Sequence, residues 1–310
     1  MSVHPNLLAS FVAAAVRVAT PLLLAALGET IAERAGVINL GIEGAMLAGA
    51  LGATLGASAG GPWVGTATGM AAGVFVAGTF AAVAVVAGAD QIITGTAITI
   101  GSVGLTGAIY RHAYGPGGVG LNLPTFPSVV LPGLGGIPVV GPGFFQQSVL
   151  TYIAYLLVPV LWWGLFKSGA GLRLRAAGES ADNARAAGVH VAWARTIGVL
   201  IGGALAGLGG ASLVLAQVGT FAERMTAGRG FIAIAIVVLG GWNPARVFWA
   251  ALFFGAAMAL QFLVQSLGVG VPYQLVLMLP YLLTLLVLAG VVGRTRPPAD
   301  LGRADESAPS

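Results

Sequence analysis

Apolar segments long enough to cross a membrane follow one another along almost the whole chain, with short polar segments between them. A membrane-spanning α-helix needs about 20 mostly apolar residues. Segments that approach or reach this length lie near residues 7–27, 38–57, 63–87, 92–110, 149–166, 196–218, 230–241, 247–267 and 273–292. The pattern therefore predicts an all-α fold, a polytopic membrane helical bundle with about nine spans.

The count leaves room for eight or ten spans. Arg17 lies ten residues inside the first apolar segment and weakens it as a span. The seventh segment is short, so it either extends to Arg229 and Trp242 or forms a broken or re-entrant helix. For Arg17 we favour a structural pairing with a buried acid, because an unpaired charge inside a bilayer is costly.

The polar segment 167–195 stands out against this apolar background. Five of the chain's 14 Lys and Arg residues lie within it, and loops rich in Lys and Arg stay on the cytoplasmic side. The same rule places the tail after Arg294 inside and the Gly- and Pro-rich segment 111–148 outside. We expect residues 1–296 to form one transmembrane domain and residues 297–310 to be a disordered cytoplasmic tail.

A short exposed helix is predicted at residues 180–188 of this cytoplasmic segment. Ser180 is a good N-cap and Asp182 suits the positive N-terminal end of a helix. Alanines fill the middle, and Gly188 is a typical C-terminal stop. A surface helix between two spans is a part that a cytoplasmic partner can move.

Composition excludes several classes of function. The 310 residues are 57% hydrophobic and 8% charged, with a mean hydropathy of +0.93, whereas soluble domains carry roughly 25% charged residues. The net charge of +4 does not indicate nucleic acid, because the basic residues lie where topology requires them. Cysteines are absent, the three histidines are scattered, and neither an ATP-binding motif nor a nucleophile motif occurs. We predict no catalytic site, no metal and no cofactor.

Two groups of polar residues within the predicted spans are candidates for a substrate pathway. Asn39 and Glu43 are four residues apart and would share one face of a helix. Glu43 could equally be an internal brace, bonded to a neighbouring helix, and both interpretations stay open. Gln91 and Thr94 belong to a second polar group at the start of the fourth span, although Thr in a span often bonds only to its own helix.

Three runs of sequence carry a resemblance to a known family. They read ERAGVINLGIEG at residues 33–44, GESADNARAAG at 178–188, and MTAGRGFIAIA at 225–235 followed by GGWNP at 240–244. In this order they resemble the membrane permease subunits of bacterial ABC importers of the branched-chain amino acid and ribose type. More narrowly, the chain is similar to the nucleoside, guanosine-type, permeases of that family, over residues 7 to 292.

The resemblance implies an importer made of several chains in the bacterial inner membrane. A cytoplasmic ABC ATPase would hydrolyse ATP, a second and different permease subunit would complete the pore, and an extracytoplasmic binding protein would deliver the solute. The run at 178–188 is similar to the loop that couples such permeases to their ATPase. The residues implied in coupling are Gly178, Glu179, Ala184, Arg185, Ala187 and Gly188.

Two alternatives remain at the level of sequence. The cargo could be a ribose-like sugar rather than a nucleoside. The chain could also be a self-contained secondary transporter or channel, with Glu43 and Asp90 as proton or ion sites. An exposed Ala-rich cytoplasmic helix favours the ATPase-driven importer, because a secondary carrier does not need one.

Overall fold

Helices account for nearly all of the regular structure. The computed structural model describes residues 5–115, 122–266, 273–289 and 296–303. The helices are α1 Pro5–Arg34, α2 Ile42–Gly60, α3 Pro62–Phe80, α4 Gln91–Tyr114, α5 Val140–Phe144, α6 Val149–Lys167, α7 Gly169–Glu179, α8 Ala181–Ala186, α9 Val191–Leu213, α10 Arg229–Gly240, α11 Pro244–Ser266 and α12 Tyr273–Leu288. Helix α3 continues as a π-helix over Ala81–Val86, and α9 does so over Val214–Val218.

The prediction of an all-α polytopic bundle is confirmed. Within the described ranges, seven helices are long and apolar enough to cross a membrane, and two shorter apolar helices cover Arg229–Gly240 and Gln274–Leu288. Together they correspond to the nine predicted segments. The short seventh segment is a 12-residue helix, about 18 Å long, and is too short to cross a hydrocarbon core of about 30 Å.

Helix α9 forms the centre of the bundle and packs against α1, α2 and α3. Glycines allow this close approach, since a Cβ added to Gly49 of α2 would lie 2.5 Å from the Cα atom of Gly207 in α9. Gly207 also meets Gly69 and Gly73 of α3 in the same way. Inside lipid the hydrophobic effect does not drive helices together. Small residues at these crossings let the backbones approach closely, so that van der Waals contacts stabilise the packing.

The first predicted span is wrong at its cytoplasmic end. The sequence pattern ends it at residue 27 and treats residues 29–37 as a loop, but α1 continues to Arg34. Glu29 and Glu33 are buried in this last part of the helix, where both accept hydrogen bonds from elsewhere in the chain. Those partners let two acidic residues stay in the helix.

The cytoplasmic segment contains the predicted short helix and a second helix that the pattern missed. Helix α8 begins after Ser180, whose Oγ accepts a hydrogen bond from Asn183 N at 3.4 Å. It ends before Gly188, which has the left-handed φ of +80° expected of a helix stop. Helix α7 precedes α8, so the segment forms a helical hairpin-like unit rather than a loop with one helix.

The C-terminal tail differs from its prediction of disorder. Residues 299–302 form turns, and Pro298 is buried. They bond to Gly36 and to Gly178, as described below. The sequence of the tail is polar, and its order comes from partners more than a hundred residues away. The rest of the predicted tail, residues 304–310, lies outside the described residues.

In the segment predicted to lie over the outer membrane face, residues 122–148 are mostly irregular and contain two short strands and one short helix. Strand β1, Ser128–Val130, pairs antiparallel with strand β2, Gln146–Ser148, and Ser128 lies opposite Ser148. Helix α5 lies between them in sequence. The strands are three residues long, too short for an alternating pattern to reveal them.

Membrane sidedness gives a first prediction. The chain has no cysteine, so single cysteines can be introduced at exposed Ser128 and at Asp182, whose side chain is 93% exposed. In intact cells an impermeant thiol reagent should label Ser128→Cys and leave Asp182→Cys unlabelled until the membrane is opened. Labelling of Asp182→Cys from outside would contradict the topology.

Candidate coupling surface and solute cavity

The turn between α1 and α2 holds several of the predicted pathway residues in place. Asn39 is buried in this turn, its Oδ1 accepts from Gly41 N at 3.0 Å, and its backbone N donates to Glu29 Oε1 at 2.9 Å. Gln91 Oε1 accepts from Ile38 N at 2.9 Å. These groups satisfy backbone atoms of a segment that is neither helix nor strand, which is a structural requirement inside an apolar bundle.

Glu43 caps a helix that lies far away in sequence. Its Oε1 accepts from Thr226 Oγ1 at 2.6 Å and from Gly228 N at 2.8 Å, and its Oε2 accepts from Gly230 N at 2.6 Å. These donors belong to the N-terminal end of α10, where the first backbone N–H groups have no partner within the helix. The carboxylate therefore both satisfies these donors and lies at the positive end of the helix dipole.

Close packing around Glu43 requires glycine at position 230. A Cβ added there would lie 2.6 Å from the Cα and N atoms of Glu43. Gly228 has a φ of +79°, so the chain turns through a left-handed residue before α10 begins. The MTAGRGF run thus gives a helix start that fits against one acidic residue.

The prediction that Asn39 and Glu43 share a helix face is wrong. Helix α2 begins at Ile42, so Asn39 lies before it, and the turn directs the two side chains to different partners. Thr94 is buried in the first turn of α4. Asn39, Glu43 and Gln91 use their polar atoms within the protein, and the pathway role of all four residues stays a prediction.

The cytoplasmic end of α1 is fixed by the segment after α10. Trp242 Nε1 donates to the Glu33 carboxylate, while Arg34 Nε donates to the Trp242 carbonyl oxygen at 3.0 Å. The Arg34 guanidinium also lies 5.5 Å from the centre of the Phe166 ring in α6. Sequence reasoning missed these residues; the spacing of four between Glu29 and Glu33, which places both on one face of a continuing helix, was the available signal.

A cavity of about 500 Å³ opens between α1, the end of α9, the loop before α10, α11 and α12. Its polar lining consists of Arg17, Gln217, Arg229, Gln261 and Tyr281. Arg229 Nη1 donates back to the Met225 and Thr226 carbonyl oxygens, whereas its buried Nε has no hydrogen-bond partner among the described residues. A polar cavity of this size can accommodate a small solute.

Arg17 lies near the middle of this face at membrane depth. It is about 18 Å from the N-terminal end of α1 and about 26 Å from its C-terminal end, at 1.5 Å per residue. Its side chain is exposed on the surface of the chain and, in the part of the chain that the structure describes, makes no ion pair. The expected pairing with a buried acid is therefore not found there.

A proline four residues later explains one contact of Arg17. Pro21 has no N–H group, so the Arg17 carbonyl oxygen lacks its usual helical donor. Gln217 Nε2 replaces that donor at 2.8 Å. The amide of Gln217 thereby joins the end of α9 to the turn of α1 that precedes Pro21, beside the cavity.

The cytoplasmic segment presents only part of the predicted coupling residues on its surface. Glu179, Ala187 and Gly188 are exposed, and Arg185 is half-buried and paired with Asp182 at 2.6 Å. Gly178 and Ala184 are buried, and the coupling role of all six residues stays a prediction. Ala184 packs with Ala177, Ala181 and Val191, which seats α8 on α7 and α9.

The cap at Glu43 gives a second prediction. Glu43→Gln replaces one acceptor oxygen by an NH2 group that faces a backbone donor, so the purified protein should lose about 1–3 kcal/mol of stability in detergent. Glu223→Gln is the matched control, because Glu223 is half-exposed and pairs with Arg111 at 2.5 Å on the surface. Equal thermal unfolding midpoints for the two variants would contradict the capping role.

Comparison with known proteins identifies relatives over nearly the whole chain. The model of the family "Branched-chain amino acid transport system / permease component" matches residues 11–288. TsgC13 of Haloferax volcanii, provisionally named a glucose ABC transporter permease, is 40% identical, with 91% of each chain covered. The guanosine ABC transporter permease NupQ of Bacillus subtilis is 38% identical, covering 94% of this chain and 95% of NupQ.

A third relative points in the same direction. The nucleoside ABC transporter permease NupC of Lactococcus lactis is 33% identical, covering 90% of this chain and 91% of NupC. No solved structure matches the chain. The match to the family model extends from the second turn of α1 to the end of α12. This chain belongs to the branched-chain amino acid transport system permease family and is an ABC transporter permease subunit.

Proposed function

We propose that this chain is one permease subunit of a nucleoside importer in the bacterial plasma membrane. A separate cytoplasmic ABC ATPase supplies the energy, a different permease subunit completes the pore, and an extracytoplasmic binding protein delivers the nucleoside. The single observation that supports a solute path in this chain is the cavity with two arginines and two glutamines at membrane depth.

The face that carries this cavity is unsuited to lipid. An Arg at the centre of a membrane helix costs about 2.5–3.5 kcal/mol by insertion scales, and such residues usually face a bundle interior or a water-filled space. Arg17 is exposed in the single chain, and Gln217, Arg229 and Gln261 lie beside it. We infer that the second permease subunit faces this side and that the solute passes between the two.

The chemistry of the lining favours a nucleoside. Bases stack on aromatic rings and on guanidinium planes, and hydrogen-bond along their edges. Tyr281 supplies a ring, Arg17 and Arg229 supply guanidinium groups, and the two glutamine amides can both donate and accept. Two of the three relatives named above carry nucleoside or guanosine in their names.

A sugar is the second candidate cargo. The relative at 40% identity is provisionally named for glucose, and sugar hydroxyls can also bond to amides and guanidinium groups. A sugar has no planar base, however, so it would gain little from the stacking surfaces of Tyr281 and the two arginines. The contribution of these planar groups therefore separates the two candidates.

Coupling to the ATPase is proposed at the exposed end of α8. Ala187 and Gly188 have small side chains that allow close seating of another protein, and Glu179 and Arg185 offer charged contacts around them. Gly178 and Ala184 contribute indirectly, by holding α8 against its own chain. The relatives are named as ABC transporter permeases, which supports an ATPase as a partner of this chain.

The solute class is tested by uptake into vesicles that hold the whole complex. Labelled guanosine, adenosine, ribose and glucose are compared at equal concentrations, with and without ATP inside. The nucleosides should enter in an ATP-dependent manner and compete with one another, while tenfold excess glucose should not compete. ATP-dependent uptake of glucose alone would overturn the nucleoside proposal in favour of the sugar.

The position of the path gives a third prediction. Arg17→Met removes a charge from the cavity, whereas Arg246→Met makes the same change at the exposed start of α11, away from the cavity. Arg17→Met should reduce uptake per assembled complex by roughly tenfold, the equivalent of one charged hydrogen bond, without reducing assembly. If Arg17 faced lipid instead, its replacement would improve insertion and leave uptake unchanged.

The coupling surface gives a fourth prediction. A Cβ at Gly188 would meet nothing within 4 Å, so only its φ of +80° opposes a side chain. Gly188→Val should therefore strain the turn by about 1–2 kcal/mol and lower uptake and solute-stimulated ATP hydrolysis. Gly188→Asn is the matched control, because Asn tolerates this backbone region. Normal uptake by both Gly188→Val and Ala187→Glu would contradict docking at this end.

A further inference from the structure

The ordered part of the C-terminal tail connects the coupling helix to the ends of the membrane helices. We call residues 298–303 the C-terminal clasp. The clasp lies beyond the residues matched by the family model, which end at 288. Its backbone and one carboxylate bond to the junction of α7 and α8, to the turn after α1, and to the first residues of α4 and α9.

Asp300 holds the junction between α7 and α8 by two hydrogen bonds. Its backbone N donates to the Gly178 carbonyl oxygen at 2.9 Å, and its Oδ2 accepts from Ala181 N at 2.7 Å. Ala181 is the first residue of α8, so its N–H has no acceptor within the helix. The carboxylate of Asp300 therefore caps α8, although it lies 119 residues away along the chain. The local N-cap of the same helix is Ser180, whose Oγ accepts from Asn183 N.

The other side of the clasp bonds to the membrane helices. Gly302 N donates to the Gly36 carbonyl oxygen at 3.0 Å, just after α1. The Arg303 carbonyl oxygen accepts from Arg195 Nη1 at 3.3 Å and from Gln91 Nε2 at 3.5 Å. Arg195 is buried near the start of α9, and Gln91 is the first residue of α4. Two adjacent residues of the clasp thus bond to the turn after α1 and to side chains at the starts of α4 and α9.

The two sides meet directly beneath the clasp. A Cβ added to Gly36 would lie 3.1 Å from the Cα atom of Gly178, so the end of α1 and the end of α7 touch backbone to backbone. Arg34 and Glu179 lie 3.9 Å apart across the same contact, but the Glu179 side chain is 57% exposed, which makes that pair weak. The clasp bonds to a carbonyl oxygen on each side of the contact, Gly36 and Gly178.

We propose that the C-terminal clasp makes α8 move as one body with the cytoplasmic ends of α1, α4 and α9, with Asp300 as the positioning residue. The clasp would then carry motion between the ATPase and the solute path, and its loss would uncouple ATP hydrolysis from transport. This inference rests on the docking of α8 proposed above and does not depend on which solute is carried.

The test compares three substitutions in the complete, reconstituted complex. Asp300→Ala removes the cap, and uptake per ATP should fall roughly fivefold, the population shift that loss of one helix cap brings. Asp300→Asn should keep most of the coupling, because its amide oxygen can still accept from Ala181 N. Arg303→Ala is the control, since that side chain is 75% exposed and its pair with Asp300 is a surface pair.

Two truncations make the same comparison without a substitution. A chain ending at residue 297 lacks the clasp, and a chain ending at residue 303 retains it. The first should behave like Asp300→Ala and the second like the full chain. Basal ATP hydrolysis and the amount of assembled complex should stay unchanged in all of these variants.

The readouts separate coupling from simple support of the fold. Reduced assembly with normal uptake per ATP would show that the clasp only stabilises the chain, and would overturn the proposal. Equal uptake per ATP in Asp300→Ala, Asp300→Asn and the full chain would overturn it as well. The ratio of ATP hydrolysis with and without the binding protein gives the same comparison if the solute is not a nucleoside.

A reversible crosslink covers the case in which Asp300→Ala fails to assemble. Ala181→Cys and Asp300→Cys, joined by a short reducible dithiol reagent in this cysteine-free chain, should support normal uptake per ATP. Reduction of the crosslink after assembly should lower uptake per ATP toward the value measured for Asp300→Ala. No change on reduction would overturn the proposal.

Discussion

Backbone groups without a helical partner determine how this bundle is held together. Inside a membrane every N–H and C=O group needs an acceptor or donor from the protein, and this chain supplies several from distant side chains. Glu43 caps the start of α10, and Gln217 bonds to the carbonyl oxygen that Pro21 leaves free; in the polar segment outside the spans, Asp300 caps α8 in the same way. Each bond joins segments more than a hundred residues apart. Distant parts of the chain are therefore connected at the positions where a helix begins or is interrupted.

These interruptions also bring the functional regions together. The start of α10, which Glu43 holds, includes Arg229 at the cavity wall, and Arg17, one turn before Pro21 in α1, lies on the same wall. At the cytoplasmic end, the contact between Gly36 and Gly178 sets the coupling hairpin against the turn after α1. A displacement of α8 can be transmitted to α1 through this contact, and residues in the middle of α1 line the cavity.

The sequence predicts the parts of the fold that local chemistry decides. Apolar length locates the spans, and Ser180 and Gly188 mark α8 through ordinary capping preferences. Local pattern fails where the partner is distant: Glu29 and Glu33 belong to a helix only because Asn39 N and Trp242 reach them. Residues 298–303 of the polar tail are ordered for the same reason. Asn39 lies in a turn before α2 and not in the predicted helix, because Glu29 and Gln91 accept hydrogen bonds from the backbone of that turn. The same division holds for the candidate sites: capping preferences locate helix α8, whereas the cavity wall comes from five separate segments of the chain and has no local signal.

The central claim is that solute passes along the wall that carries Arg17 rather than past the turn that carries Asn39 and Gln91. The most direct measurement is protection of single cysteines by solute in the transporting complex, with Val18→Cys at the cavity wall and Thr94→Cys in the first turn of α4. A nucleoside in transit should slow the reaction of Val18→Cys with a small thiol reagent and leave that of Thr94→Cys unchanged. Protection of Thr94→Cys without protection of Val18→Cys would contradict the account and return the path to the residues that sequence alone indicates.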